Sequence, residues 1–188
     1  MVRLTKIYTR TGDGGETGLG DGRRVSKTSP RIAAIGAVDE CNAAIGVARL
    51  VADTESDAML ARIQNELFDL GADLAAPEGE NRLRIAPEQV TRLEQEMDAM
   101  NRALTPLSSF VLPGGTALAA HLHLARAIAR RAEREMVALA AAEAVTPAAL
   151  QYVNRLSDHL FVLARAANHA AGQGDVLWVP GDSGGSAA

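Results

Sequence analysis

Cysteine and aromatic residues are scarce in this chain of 188 residues: it has one cysteine, and aromatic side chains make up 3% of it. The single cysteine, Cys41, excludes an internal disulfide framework and any metal site built from several cysteines. A membrane span is also not expected, because the longest stretch without charged residues, 103–120, is broken by prolines and glycines. No apolar run of signal-peptide length follows the first residues, so we expect a protein of the reducing cytoplasm.

Charge of one sign is not in large excess either. The formal net charge of -4 provides no general attraction for nucleic acid, so an anion site would need a local cluster of Arg and Lys. The length is that of one compact domain, and 47% of the residues are hydrophobic. With so few aromatics, the core must consist mainly of Ala, Leu, Val and Ile, which favours close-packed helices.

Apolar residues that recur at alternating spacings of three and four predict five amphipathic helices. The helices are expected over about 30–52, from Thr54 to the Ala75-Ala76-Pro77 break, from Pro87 to Thr105-Pro106, from Thr116 through Leu139, and from Pro147 through Ala167. Ser29, Thr54 and Thr146 are the expected caps. Because each apolar stripe needs another helix to cover it, we expect an all-α, five-helix up-and-down bundle over 29–172.

The rest of the chain is expected to belong to the same single domain, over 1–180. The short run 176–179 is apolar and can be extended, whereas the tail, 181–188, is predicted to be disordered. There is no internal repeat and no domain boundary.

A segment rich in glycine and hydroxyl groups, Lys6 to Gly22, shows neither a helical nor a strand period. Such a loop can place backbone N–H groups against phosphate oxygens, with Arg10 and Lys27 as further donors. It matches neither the Walker A loop nor the dinucleotide fingerprint, because no Gly-Lys pair occurs and Thr17 stands where the third glycine belongs. From composition alone, a turn-rich terminus explains the segment as well as a phosphate loop does.

The fourth predicted helix carries four arginines within about two turns: Arg126, Arg130, Arg131 and Arg134. Arg126, Arg130 and Glu133 share one face beside the apolar stripe. Like charges four residues apart repel each other unless an anion lies between them, which favours an inward or subunit-facing phosphate site. A solvated basic face is the alternative.

Polar residues on two other helices are further candidates. Asn154 can hydrogen-bond a ribose or phosphate, or it can link helices as a buried amide. Arg155 and Asp158 lie one turn apart and can pair. Asp39, beside the first helix's apolar stripe, is either a partner for one of the arginines or a surface acid.

The four histidines do not predict a metal site. His121 and His123 are two apart on a helix and point in different directions, and no histidine has the spacing from Glu that zinc proteases or di-iron bundles require. We interpret the histidines as helix-surface residues. The spacing also predicts no Ser-His-Asp or Cys-His arrangement.

Three blocks of sequence together resemble the PduO-type ATP:cob(I)alamin adenosyltransferases over nearly the whole chain. They are 6–13 through Thr17 with 38–42, then 110–115 leading to Arg126 and 130–134, and finally 154–158. The resemblance implies a ferritin-like bundle with an ATP-binding segment over 1–28, assembled as a homotrimer with ATP and the corrinoid between subunits. The implied reaction transfers the 5′-deoxyadenosyl group of ATP to cob(I)alamin, giving adenosylcobalamin and triphosphate.

The resemblance also implies roles for individual residues. The ATP-binding set is Thr9, Arg10, Thr11, Gly12, Thr17, Gly18, Lys27, Arg130, Arg131, Ala132, Glu133, Arg134 and Asn154, and the catalytic set is Arg130, Arg126, Asp39 and Phe110. Arg126 would pair with Asp39 across the subunit interface. Phe110 would bind the corrinoid as an aromatic wedge that keeps the lower axial ligand of cobalt displaced.

The implied Mg²⁺ is carried mainly by the triphosphate, with no certain protein ligand. A flavoprotein or other reductase and a B12-dependent client enzyme are the implied partners, whereas nucleic acid and membrane are not expected. Two other hypotheses are a non-catalytic, ATP-dependent corrinoid carrier or sensor and a purely structural bundle.

Overall fold

The computed structural model describes residues 7–76 and 82–181. The elements are β1 (Glu16–Gly18), β2 (Arg24–Ser26), α1 (Pro30–Arg49), α2 (Thr54–Ala75), α3 (Pro87–Asn101), α4 (Ala117–Ala140) and α5 (Pro147–Ala170). The five predicted helices are confirmed. However, α1 and α3 each end three residues before the predicted end. After α1, three successive N–H groups bond to carbonyls three residues back, so a tightened turn continues the apolar spacing beyond the helix.

The helix caps differ in part from the prediction. Ser29 accepts a hydrogen bond from the Ile32 N–H, as expected. The cap of α2 is Asp53 rather than Thr54, because the Asp53 carboxylate accepts from the Ser56 N–H at 2.9 Å. Thr146 occupies the cap position of α5 without capping it: its hydroxyl donates instead to an Asp73 carboxylate oxygen, 2.8 Å away.

Contacts between helices give the up-and-down topology. Arg31, in the first turn of α1, donates to the Leu74 carbonyl at the end of α2 over 2.7 Å, which makes these helices antiparallel. The start of α1 also meets Glu143, just beyond α4. In contrast, α3 runs parallel to α5, since Arg155 donates to Glu94 and Arg165 donates to the Thr105 carbonyl. The chain direction therefore alternates from each of the five helices to the next, as predicted.

The core consists mainly of small and aliphatic side chains, and among the described residues Tyr152 is the one Phe, Tyr or Trp within it. The predicted apolar stripes of α1, α2 and α4 are buried throughout, whereas α3 buries only Val90 and Leu93. Helices α1 and α4 meet along a seam of small residues whose side chains are at most 1% exposed: Ala34, Ala37, Cys41, Ala48, Ala125, Ala129 and Ala132. Burial raises the pKa of the Cys41 thiol to about 12, so Cys41 is a neutral core residue.

The interpretation of all histidines as surface residues is wrong for two of them. His159 is fully buried, and its Nε2 lies 2.8 Å from a Glu96 carboxylate oxygen where α5 packs against α3. His123 is 4% exposed and packs edge-on against the Phe161 ring, with 6.1 Å between the ring centroids. Desolvation lowers the pKa of His123, and the positive charge of Arg126 lowers it further. Both histidines are buried because polar faces of their helices are covered by neighbouring segments.

The glycine-rich N-terminal segment contains a strand pair that the sequence analysis did not predict. Strands β1 and β2 are antiparallel, with Glu16 opposite Ser26. Leu19 at the turn is buried, and the Gly20 N–H donates to the Ala75 carbonyl at 2.9 Å, which anchors the hairpin to the end of α2. Each strand has only three residues, too few to show an alternating pattern in sequence.

The extended run near the C-terminus is confirmed as one half of an isolated bridge, in which Leu177 pairs with Val111. Gly181 lies in a turn. The remaining residues of the predicted disordered tail, 182–188, lie outside the described residues, as do Lys6 and Pro77. Over 7–76 and 82–181, no helix combines the length and the apolar character needed to cross a bilayer.

Candidate functional site

A cavity of about 660 Å³ opens beside α4 and α5, where the α3–α4 connection meets the C-terminal segment. It is lined by Leu107, Ser108, Ser109, Phe110, Val111, Arg126, Asp158, Phe161 and Trp178. One wall is therefore aromatic and aliphatic, and the other carries one acid and one base. A cavity of this kind suits a large, flat, mainly apolar ligand with some polar groups.

Phe110 forms the exposed part of the aromatic wall. Its side chain is 77% exposed, and its ring centroid lies 6.1 Å from that of Trp178. The backbone holds the pair together, since the Trp178 N–H donates to the Phe110 carbonyl at 2.7 Å. The Ser109 hydroxyl also donates to the Trp178 carbonyl at 2.7 Å. Phe110 thus lies on a short extended segment that pairs with a second one, rather than on a helix.

Arg126 lies between the cavity and the rest of the arginine cluster. Its guanidinium carbon is 5.4 Å from the centroid of the Phe161 ring, a cation–π distance. Desolvation and the positive charge of Arg130 lower the pKa of Arg126, and the Asp158 carboxylate opposes them. Within the part of the chain that the structure describes, Arg126 has no ion-pair partner, so this positive charge is incompletely compensated.

The other α4 arginines differ in their surroundings. Arg130 is exposed and makes no ion pair with any described residue, and Arg134 donates to the Arg130 carbonyl at 3.0 Å. Arg131, in contrast, forms an ion pair with Glu40 on α1. Ala132 faces the core and is 1% exposed, so its side chain cannot touch a ligand. The predicted cluster therefore offers Arg130 and Arg134 as unneutralised cations.

We call the side of α4 that carries Arg126, Arg130 and Arg134 the arginine face. Asn154 on α5 bonds Glu133 beside it. The Asn154 amide donates to a Glu133 carboxylate oxygen at 2.8 Å, and its own oxygen accepts from Arg155 at 2.5 Å. Arg155 pairs with Glu94 on α3. The predicted pairing of Arg155 with Asp158 is thus wrong, because the Arg155 guanidinium bonds Glu94 and Asn154 instead.

The N-terminal loop brings several predicted residues together next to the hairpin. The Thr9 and Thr11 hydroxyl oxygens are 2.9 Å apart. Arg10 has a positive φ of 62° and places its guanidinium 5.6 Å from the centroid of the Tyr8 ring. A Cβ on Gly12 would lie 3.0 Å from the Lys27 ammonium nitrogen, so Lys27 closes over the loop. These residues form a polar, basic strap at the surface.

A second cavity, of about 520 Å³, lies between this hairpin and the outer side of α1 and α2. Its lining includes Thr17, Gly18, Asp39, Asn42 and Phe68. Asp39 is exposed and has no ion-pair partner among the described residues.

The predicted site residues thus fall into two groups on different faces of the chain. One group follows α1, α2 and the hairpin, and the other follows α4 and α5. The predicted pair of Asp39 and Arg126 is not formed within the chain.

Two aromatic lining residues of the first cavity, Phe161 and Trp178, were assigned no role by the sequence analysis. Phe161 lies seven residues after Asn154, two helical turns along the same face, which is a usable signal. Trp178 is the only tryptophan in the chain, but it lies in an irregular segment where no period indicates which way a side chain points.

Comparisons with known proteins agree with this architecture. The family described as cobalamin adenosyltransferase matches residues 7–167. The cobalamin adenosyltransferase of Cupriavidus metallidurans is 54% identical over 178 residues, which cover 94% of this chain and 95% of that protein. The corrinoid adenosyltransferase of Mycobacterium tuberculosis is 52% identical, with 96% of each chain covered.

Solved structures are similar as well. A phenylalanine-to-histidine variant of the PduO-type ATP:corrinoid adenosyltransferase from Lactobacillus reuteri, complexed with cobalamin and ATP, superimposes with a TM-score of 0.88. It is 38% identical, and the match covers 93% of this chain and 97% of that one. An arginine-to-lysine variant of the Lactobacillus reuteri enzyme, complexed with ATP, gives a TM-score of 0.86.

Proposed function

The chain belongs to the cobalamin adenosyltransferase family, and on this premise we propose that it transfers the 5′-deoxyadenosyl group of ATP to cob(I)alamin. The products are adenosylcobalamin and triphosphate. The observation that carries the proposal is the position of an aromatic-walled cavity directly beside uncompensated arginines of α4. A corrin ring suits the first feature, and a polyphosphate suits the second.

The chemistry places few demands on proton transfer. Cobalt(I) is the nucleophile: its electron pair forms the Co–C bond at the ribose C5′, while the C5′–O bond breaks and the triphosphate leaves with the electron pair of the broken bond. The protein therefore has to align two reactants and stabilise the negative charge that develops on the leaving group. Arg126 and Arg130 lie one turn apart along α4, from the cavity toward solvent, which suits both tasks.

We propose that the nucleotide is bound by the basic strap of one subunit and the arginine face of another. Thr9 to Gly12, Thr17, Gly18 and Lys27 would wrap it, and Arg130, Arg134 and Asn154 would hold the triphosphate. Arg131 and Glu133 would bind less directly, because each already has a side-chain partner. Ala132 would contribute only backbone, since its side chain is buried.

Magnesium would be bound through the triphosphate oxygens. The described residues contain no cluster of three or more His, Cys, Asp or Glu side chains suited to a metal ion. Glu133, which shares a helix face with Arg126 and Arg130, can bind a water of the hydrated ion.

We propose a homotrimer with Asp39 of one subunit paired to Arg126 of its neighbour. Two features support it: both charges lack an ion-pair partner among the described residues, and they lie on different faces of the protomer. Large apolar side chains are also exposed on both faces, with Phe68 on α2 at 71% and Leu124 on α4 at 56%.

Charge reversal tests the trimer. Asp39→Arg is expected to give monomers in size-exclusion chromatography with light scattering, and adding Arg126→Asp should restore the trimer. Asp98→Arg, on the exposed side of α3, is the matched control. A wild-type monomer, or a trimer that tolerates Asp39→Arg, would contradict the proposed pairing.

We assign Phe110 the role of a wedge on the lower face of the corrinoid, because it is the most exposed aromatic side chain of the cavity. A displaced axial ligand leaves a four-coordinate Co(II) that is easier to reduce. Reduction must precede attack, so we propose a flavoprotein or other reductase as partner. We also propose a B12-dependent client for the product, and a cytoplasmic location.

The defining experiment is anaerobic incubation of the protein with ATP, Mg²⁺ and cob(I)alamin. We expect the absorption spectrum of adenosylcobalamin together with one released triphosphate per cofactor formed. Release of phosphate or pyrophosphate instead would contradict the reaction. Product retained without turnover until a client enzyme is added would support the alternative of a corrinoid carrier.

A further inference from the structure

Two irregular segments of the chain support the aromatic wall of the first cavity. We call residues 102–116 the wedge loop, which carries Phe110, and residues 171–181 the C-terminal segment, which carries Trp178. Of the described core residues, none comes from either segment. Apolar burial therefore does little to hold these segments in place, and their polar contacts decide where Phe110 lies.

Arg165 on α5 contacts both segments at once. Its Nη2 donates to the Thr105 carbonyl in the wedge loop at 2.7 Å, and its Nε donates to the Asp175 carboxylate in the C-terminal segment at 2.8 Å. The Arg165 side chain is 6% exposed and that of Asp175 is 14% exposed. The other Asp175 oxygen, Oδ1, has no partner among the described residues, so Arg165 is the principal partner of this carboxylate.

Asn168, less than one turn further along α5, holds the other end of the wedge loop. Its amide donates to the Gly114 carbonyl at 3.2 Å, and its oxygen accepts from the Thr116 N–H at 2.9 Å. The fit is close, because a Cβ on Gly115 would lie 2.2 Å from the Asn168 side-chain oxygen. One face of α5 therefore clamps the wedge loop at both ends.

Between the two clamps, the wedge loop pairs with the C-terminal segment. The Leu112 N–H donates to the Val176 carbonyl at 2.8 Å, beside the bond from Trp178 to Phe110. Asp175 immediately precedes this pairing. A displacement of Asp175 from Arg165 would therefore shift the paired backbone that presents Phe110.

We propose that the Arg165–Asp175 ion pair is a positioning device for the transfer reaction: it docks the wedge loop and the C-terminal segment together on α5 and so sets Phe110 at the cavity. The planar guanidinium suits this role, because its fixed fork can bond two segments in defined directions, which a lysine ammonium cannot do. The proposal rests on the proposed function of Phe110. Neither Arg165 nor Asp175 is among the lining residues of the first cavity.

Trp178 provides a test of the docking that needs no ligand, since it is the only tryptophan in the chain. In the full-length apoprotein, Arg165→Met and Asp175→Asn should each raise the acrylamide quenching constant of Trp178 by at least about twofold, as the segment opens locally. Arg165→Lys should give an intermediate value. Arg102→Met, at an exposed arginine of the same loop, is the matched control and should leave quenching unchanged.

Activity then separates positioning from mere stability. Relative to wild type, Asp175→Asn should reduce the rate from cob(II)alamin with a reductant by about tenfold more than the rate from pre-reduced cob(I)alamin, since small misplacements weaken the wedge most. The electron paramagnetic resonance signal of four-coordinate Co(II) should fall in parallel. Asp175→Asn is chosen because Asp175 lies outside the bundle, so the helices should fold in this variant even if Arg165→Met unfolds.

Two results would overturn the proposal. Unchanged Trp178 quenching in a folded Asp175→Asn variant would show that the ion pair does not dock the segments. Raised quenching with equal losses from the two cobalt states would show that docking does not position Phe110. If the wild-type protein forms no adenosylcobalamin, the proposed function fails and the positioning role fails with it, while the quenching comparison still decides the docking.

Discussion

Replacing Arg130 by alanine is the sharpest test of the arginine face. Arg130 is exposed, makes no ion pair with any described residue and lies outside the core. Its removal should therefore leave the free energy of unfolding within about 0.5 kcal/mol of the wild-type value. A loss of activity in this variant would report on the ligand rather than on the fold.

The expected size of the loss follows from the bond that Arg130 would make. A hydrogen bond to a charged group contributes about 1.5 to 3 kcal/mol, and the leaving triphosphate gains charge in the transition state. At about 1.36 kcal/mol per factor of ten, kcat should fall roughly 10- to 150-fold. Arg130→Lys should recover part of the loss, because it keeps the charge without the bidentate geometry.

The assay is steady-state formation of adenosylcobalamin from cob(I)alamin under anaerobic conditions, with ATP and Mg²⁺ saturating. Arg102→Ala, at an exposed arginine just after α3, is the matched control and should keep wild-type turnover. A kcat for Arg130→Ala within twofold of the control, with a folded trimer, would refute the assignment of Arg130 to the leaving group.

Three further predictions concern other parts of the molecule. Phe110→Ala should slow the reaction from cob(II)alamin far more than the reaction from cob(I)alamin, and equal losses in the two assays would remove the wedge role. Gly115→Ala should lower the free energy of unfolding by more than about 2 kcal/mol in calorimetry, because Gly115 has φ +105° and the new methyl would meet the Asn168 side chain. An unchanged melting temperature would contradict this. Asp53→Ala should lower the free energy of urea unfolding by about 1 kcal/mol at pH 7. The cap bond to the Ser56 N–H lowers the pKa of Asp53 below its usual 3.8, so its stabilisation is present above that pH and is lost as the pH falls through the lowered pKa. A difference between Asp53→Ala and wild type that does not shrink as the pH falls below 3.8 would argue against the cap.

Much of the bundle was predictable because its signals are local. The three-and-four spacing of apolar residues locates α1, α2 and α4 and their buried faces almost residue by residue. The apolar spacing continued past Asn101, where α3 ends, because the tightened turn after the helix presents side chains in nearly the same way as a helix does. Capping by Thr54 and Thr146 failed as a prediction, because Asp53 caps α2 and the Thr146 hydroxyl donates to Asp73 instead.

The candidate site was predictable only where one helix assembles it. Arg126 and Arg130 share a face by simple periodicity, whereas the pairing of Arg131 with Glu40 joins residues that are 91 positions apart. No local pattern reports such a contact. Burial of His159 depends likewise on Glu96 of another helix, and the position of Trp178 depends on the bridge between Val111 and Leu177.

The seam of small residues between α1 and α4 also limits how the sequence can diverge. Across this seam the Cys41 sulfur lies 4.0 Å from the Ala125 carbonyl oxygen, so the two backbones are separated by little more than methyl groups. A larger side chain at Ala129 would push α4 away from α1 and would displace Arg126 and Arg130 as well. Natural variation at the seam should therefore be confined to glycine, alanine, serine and cysteine, even though no side chain of the seam meets a reactant. A substitution that adds a single carbon at the seam should then reduce activity as readily as one that removes an arginine guanidinium.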